Sequence, residues 1–195
     1  MTVLAAHTWK TNAELIADCH LLGYLRDKDR VLDATYGRGV WWNQWRPAGL
    51  VGHMDNFMEL PYPDGYFDAA TFDPPYVSPG GRKTSTVDDF NDRYGLHRTP
   101  KSPAGLQAVI NDGLLLVSSK VKPRGIVLVK CMDYVSSGKL WLGTHYTLTH
   151  AINSLNMEVV DRMEHIGRPR PQPEGRRQVH ARRNLSTLFV LRNPK

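Results

Sequence analysis

Phe67-Asp68-Ala69-Ala70-Thr71-Phe72-Asp73-Pro74-Pro75-Tyr76 is the stretch on which the reading of this chain turns. Its first six residues suit a short buried strand, and Asp73-Pro74-Pro75-Tyr76 stops that strand abruptly. Prolines lock φ at about −65° and carry no backbone N–H, so the strand leads into a stiff loop rich in acceptors. The same four residues could form a plain Pro-Pro turn with Asp as its turn former. Set at the carboxyl edge of a sheet, they form instead an acceptor pocket with one flat wall. That pocket suits a planar base bearing an exocyclic amine.

A second strand, Arg30-Val31-Leu32-Asp33-Ala34-Thr35, runs into Tyr36-Gly37-Arg38-Gly39. A strand-end carboxylate followed by glycines lets a ligand approach the backbone closely, beside the free N–H groups of a following helix. The third glycine of a dinucleotide fingerprint is missing, and so is the Gly-Lys-Ser/Thr of a phosphate loop, which argues against NAD and ATP. Asp73 lies 34 residues after Gly39.

In this order and spacing, Asp33-Ala34-Thr35-Tyr36-Gly37-Arg38-Gly39 and Asp73-Pro74-Pro75-Tyr76 resemble the S-adenosylmethionine-dependent DNA amino-methyltransferases. These enzymes methylate adenine N6 or cytosine N4. Their cofactor motif is D-P-F-x-G-x-G-like, and [DNS]-P-P-[YFW] holds the target amine. The chain departs from the pattern at Ala34-Thr35, where Pro-Phe is usual. The resemblance covers roughly residues 30 to 135.

It implies an α/β, Rossmann-like methyltransferase fold: a mostly parallel sheet, helices on both faces and an antiparallel edge strand. It further implies S-adenosyl-L-methionine as cofactor, held by Asp33, Tyr36, Gly37, Gly39, Asp55 and Lys10. Asp33 would meet the methionine ammonium. Asp55, ending the second strand, would meet the ribose hydroxyls or the adenine amine. Lys10 would close the cofactor pocket from the N-terminal side.

Asp73, Pro74, Pro75 and Tyr76 are the catalytic candidates. Hydrogen bonds from the amine to the Asp73 carboxylate and the Pro74 carbonyl would favour a pyramidal nitrogen, while Tyr76 stacks on the base. Alignment of an already activated methyl can supply up to ~7–11 kcal/mol. A duplex target must be flipped out to reach such a pocket. Asp at the first catalytic position leans toward adenine N6. The rival readings are an RNA methyltransferase acting on guanine N2 or adenine N6, and a binding module on a retired methyltransferase fold. Cytosine C5 chemistry would need a cysteine nucleophile, and Cys131 reads instead as a small apolar residue at a strand end.

The 195 residues, 41% hydrophobic, suffice for one core, and we read 1–195 as a single domain. Two cysteines without C-x-x-C spacing argue against disulfides and zinc and for a reducing cytoplasm, and the eight histidines show no metal-ligand spacing. No apolar run approaches a membrane span.

The net charge of +6 is concentrated. Arg168, Arg170, Arg176, Arg177, Arg182 and Arg183 are opposed in their stretch by Glu174 alone, and Pro169, Pro171 and Pro173 keep the stretch extended. Such a segment suits a phosphate backbone. With Arg82 and Lys83 in the preceding polar loop, these arginines are the candidate DNA contacts. Loops 77–103 and 166–184 are thus the candidate nucleic-acid-binding insertions. The first is 27 residues long, a length that suggests a lid over the target base.

Helices are expected from Ala13 through Leu25 behind a Thr11-Asn12 cap, briefly around Trp41, Trp42 and Trp45, at Ala104–Ser119 and near Thr147–Leu155. Strands are expected at Val31–Ala34, Leu50–Met54, Phe67–Phe72, Ile126–Lys130, Met157–Asp161 and Ser186–Leu191. The last two could form an antiparallel hairpin at the sheet edge. Strands alternating with helices imply ligand binding at the strands' carboxyl ends.

Overall fold

Thr11 starts the first helix: its hydroxyl accepts the Glu14 N–H at 3.2 Å, and the Glu14 carboxylate accepts the Lys10 N–H at 2.7 Å. This reciprocal capping satisfies donors that a helix start leaves open. The helix, α1, covers Asn12–Leu21. It stops short of Leu25 because Gly23 turns at φ +82° and the amides of Tyr24 and Leu25 reach back to the Cys19 carbonyl.

The computed structural model describes residues 4, 9–77, 100–167, 177–181 and 183–194. After α1 come β1 (Arg30–Asp33), a single 3-10 turn (Val40–Trp42), β2 (Gly49–Gly52), β3 (Phe67–Phe72) and α2 (Pro103–Lys120). Then come β4 (Val121–Cys131), β5 (Tyr134–Ser136), β6 (Lys139–Trp141), α3 (Gly143–Asn153), β7 (Glu158–Ile166) and β8 (Leu185–Arg192). Ser102 caps α2 by accepting the Gly105 N–H at 3.1 Å, with Pro103 where its missing N–H costs nothing.

Six strands form one sheet in the order β2-β1-β3-β4-β8-β7. β2, β1, β3 and β4 are parallel, while β8 is antiparallel to both β4 and β7. The expected hairpin stands at the sheet edge, with one refinement: the antiparallel strand, β8, lies one place in and β7 is outermost. Pairing with β8 carries β7 on to Ile166, past the expected end at Asp161. On the other side β2 is the last strand among the described residues.

Strand alternation sorts the core. Leu32, Ala70, Phe72, Val127, Val129 and Phe189 pack under α2 with Leu106, Ile110 and Leu114. Val31, Ala69, Leu128, Leu188 and Val190 pack with Leu15, Ile16 and Cys19 of α1. Helices therefore cover both faces, which is why the strands read as nearly continuous apolar runs. The sequence did not suggest the β5–β6 hairpin. It has three residues a side, joined by Ser137 and Gly138 at φ +50° and +77°. Among the described residues no helix is long and apolar enough to cross a membrane.

Candidate active site at the carboxyl edge of the sheet

β1 and β3 are adjacent and parallel, with Asp33 opposite Thr71, so their loops leave the sheet at the same edge. Two hydrogen bonds join them: Ala34 N–H to the Thr71 carbonyl at 3.0 Å, and Asp73 N–H to Thr35 Oγ1 at 2.8 Å. The two motifs picked out in the sequence thus meet at one sheet edge. Thr35, which replaces the usual Phe of the resemblance, supplies the hydroxyl that ties them.

Asp33 is 3% exposed. Its Oδ1 accepts the Thr35 N–H at 3.1 Å and its Oδ2 the Trp42 indole N–H at 2.7 Å. Burial pushes its carboxyl up to about 6, against the pull of these two donors. Asp33 therefore organises its own loop.

Asp73 differs. Its Oδ1 is buried with no hydrogen-bond partner. Burial raises its pKa, while the charge of Lys130 and the indole N–H of Trp41 work the other way. Pro74 and Pro75 are buried behind it, and Tyr76 is half-buried against the α2-side core.

The glycines divide in role. Gly37 sits at φ +52°, where a Cβ would meet only the Thr35 carbonyl, at 3.9 Å, so the backbone there is open to close approach. Gly39, at φ +66°, and Gly52 form a seat for the Tyr36 ring: a Cβ on either would come within 2.5 Å of it. Tyr36 is held further by its N–H to the His53 carbonyl at 3.3 Å. Asp55 is exposed beyond β2. Burial, with the Asp55 charge second, raises the pKa of nearby Tyr62. Lys10 is exposed, with its carbonyl at hydrogen-bonding distance, 3.2 Å, from His165 Nε2 on β7.

Trp41 and Trp42 are buried, as their spacing suggested, and both also serve the carboxylates. Lys130 went unremarked in the sequence. It is 2% exposed at the end of β4 and donates to Asn12 Oδ1. The available signal was a lone lysine among Ile126, Leu128 and their alternating partners, on a face that is otherwise apolar.

Of the candidate nucleic-acid contacts, Arg177 and Arg183 are exposed. Arg183 lines a cleft with Asp133, Thr144, Arg162 and Thr187. Arg82, Lys83, Arg168, Arg170, Arg176 and Arg182 lie outside the described residues, as does residue range 78–99 of the expected lid. The base of the second insertion is closed by Gly167 N–H to the Asn184 carbonyl at 2.6 Å and by the Asn184 amide to the Gly167 carbonyl at 2.8 Å. His180 Nε2 lies 2.8 Å from the Gly138 carbonyl at the β5–β6 turn. Among the described residues no three His, Cys, Asp or Glu side chains gather in a way that could hold a metal ion.

No protein-family model matches the chain, and no curated protein matches it in sequence. Solved structures do. The [4+2]-cyclase SpnF aligns at TM-score 0.53 over 93% of this chain and 80% of its own, with 13% identity. The PvuII DNA methyltransferase, described as cytosine-N4-specific, aligns at TM-score 0.50 over 73% of this chain, also with 13% identity. The match spans 50% of that methyltransferase's length. At such identities the likeness is one of architecture, and it agrees with the strand order and the covered parallel sheet: the chain has a Rossmann-like methyltransferase fold.

Proposed function

We propose that residues 1–195 form a single methyltransferase domain that transfers a methyl group from S-adenosyl-L-methionine to the exocyclic amine of a flipped-out base in DNA, adenine N6 first. The observation that carries this reading is the unpaired, buried Oδ1 of Asp73, on a loop hydrogen-bonded to the glycine turn of β1. Leaving a buried acceptor unpaired costs about 1–3 kcal/mol, more for a charged group, and an amine N–H would recover that cost.

When bound, the cofactor supplies a methyl group already activated on a sulfonium sulfur. The residues present suit it: open backbone at Gly37, an exposed carboxylate at Asp55 and a buried one at Asp33. In this reading Asp33 and Tyr36 shape the Gly37–Gly39 turn, and Lys10 borders it from the N-terminal side. Asp73 and the Pro74 carbonyl orient the amine, Pro75 stiffens their loop, and Tyr76 offers its ring to the base. The amine nitrogen that accepts the methyl group would gain positive charge, which the Asp73 carboxylate would stabilise until the surplus proton leaves to solvent. Arg177 and Arg183, with the other arginines of 166–184 and with Arg82 and Lys83, are assigned to phosphates.

The test is transfer of a tritiated methyl group to duplex DNA, RNA and free nucleosides, followed by identification of the modified base. The expected product is N6-methyladenine in DNA. N4-methylcytosine would move the target base, and label in RNA alone would replace the polymer. Absence of donor binding in a titration would leave a phosphate-binding module on a methyltransferase fold.

A further inference from the structure

Strand β4 ends Ile126-Val127-Leu128-Val129-Lys130-Cys131, and alternation puts Lys130 on the α1 face with Ile126 and Leu128. A lysine placed there loses nearly all its hydration, and a buried cation persists only where something compensates it. Its ammonium donates to Asn12 Oδ1 at the start of α1 and lies 5.7 Å from the Trp41 ring centroid. The same Trp41 directs its indole N–H toward Asp73. No carboxylate among the described residues forms a contact ion pair with Lys130. β3 and β4 pair with Phe72 opposite Val129, so the next residues along, Asp73 and Lys130, lie side by side at the ends of neighbouring strands, close enough for each charge to act on the other.

Resting on the methyl-transfer reading above, we propose that Lys130 is a positioning residue: held by Asn12 and covered by Trp41, its ammonium keeps the buried Asp73 carboxyl ionised, so that Asp73 accepts a hydrogen bond from the target amine. The distinction matters chemically. A protonated Asp73 would offer its own O–H to the amine lone pair, the pair that must form the bond to carbon. An ionised Asp73 leaves that pair free and favours the positive charge that nitrogen acquires.

Burial pulls both groups toward neutrality, raising Asp73 and lowering Lys130, and each charge opposes the effect on the other. The other titratable neighbours do not substitute for either. Asp33 on β1 is a second acid and its oxygens are taken by Thr35 and Trp42. Cys131 is held up at about 12 and stays neutral. His165 on β7, facing Lys130 with Glu14 of α1 nearby, is lowered by its burial and by the lysine charge.

The test uses Lys130→Met and Lys130→Arg in the full chain. The Asp73 carboxyl is titrated by carbon-13 NMR without ligand, its signal assigned with Asp73→Asn. The proposal expects Lys130→Met to raise the Asp73 midpoint by about one to three units, and Lys130→Arg to leave it near wild type. The acid limb of the kcat–pH profile should move up by the same amount in Lys130→Met, with donor KM unchanged, and return in Lys130→Arg.

An Asp73 midpoint that stays put in Lys130→Met, with only stability altered, overturns the proposal and leaves Lys130 as an anchor for α1. If Lys130→Met does not fold, Asn12→Ala loosens the ammonium instead. A smaller upward shift of the Asp73 midpoint then supports the proposal, and no shift overturns it. A wild-type protein that methylates nothing defeats the functional reading, while the ligand-free titration still decides the pairing of Lys130 with Asp73.

Discussion

Asp33 and Asp73 stand at the ends of neighbouring parallel strands at the same sheet edge; Asp33 is buried, and Asp73 is half-buried with its Oδ1 shielded from water. Around Asp33 every oxygen is spoken for, by Thr35 and Trp42. Around Asp73 one oxygen has no partner, although a lysine and an indole stand close by. A carboxylate whose two oxygens are both bound within its own turn fixes the shape of that turn, and one with an oxygen left open is available to a donor from outside. Position alone does not separate these roles, since Asp33 ends β1, Asp73 directly follows β3, and both precede turns.

The largest effect expected from this contrast is on Asp73→Ala. Methyl transfer should fall by about 10²–10³-fold while donor affinity holds, read from single-turnover rates and a donor titration. Equal loss of both would make Asp73 another loop organiser like Asp33.

Thr35→Val removes the acceptor of the Asp73 N–H and so cuts the tie between the loops. We expect a loss of about 1–3 kcal/mol in urea unfolding, accompanied by slower transfer. Unchanged values on both counts would mean that the loops hold their places without this hydroxyl.

Gly52→Ala presses a methyl group into the Tyr36 ring and should cost about 1–3 kcal/mol. Adding Tyr36→Ala should relieve most of that penalty. A penalty that persists in the double variant would locate the strain elsewhere.

The last effect, confined to one span of pH, concerns the protonation of Asp33. Because burial raises its carboxyl to about 6, the folded chain binds that proton more tightly than the unfolded chain. Its contribution to stability is therefore greatest below the ordinary carboxylate range and is lost as pH rises through about 6. Wild type should lose roughly 1–3 kcal/mol relative to Asp33→Asn between pH 4 and pH 7 in urea titrations. A flat difference would show that Trp42 and Thr35 offset the whole cost of burial.

Much of this contrast was legible beforehand. Apolar runs such as Val31–Leu32 and Ile126–Val129 have the length and composition of buried strands. Both motifs sit at strand ends, so their convergence is settled once the strands pair in parallel. What escaped reading depends on neighbours distant in the chain. The Tyr36 ring fills its seat because Gly52, on another strand, lies beneath it. Lys130 resembles an ordinary strand end until α1 closes over it. The β5–β6 hairpin is too short for any periodicity to register, and α1 ends early because of Gly23, which the apolar pattern through Leu25 conceals.

The placement of β8 bears on how the molecule is made. This strand is the last of the sheet to leave the ribosome, yet it belongs between β4 and β7. Just beyond it, the Asn193 side chain donates to the carbonyls of Ser118 and Val121 at 2.7 and 2.9 Å, fastening a corner translated some 70 residues earlier. Until those residues emerge, the nascent chain holds an unpaired apolar border along β4 and a β7 strand with no neighbour. That delay favours protection by chaperones during synthesis.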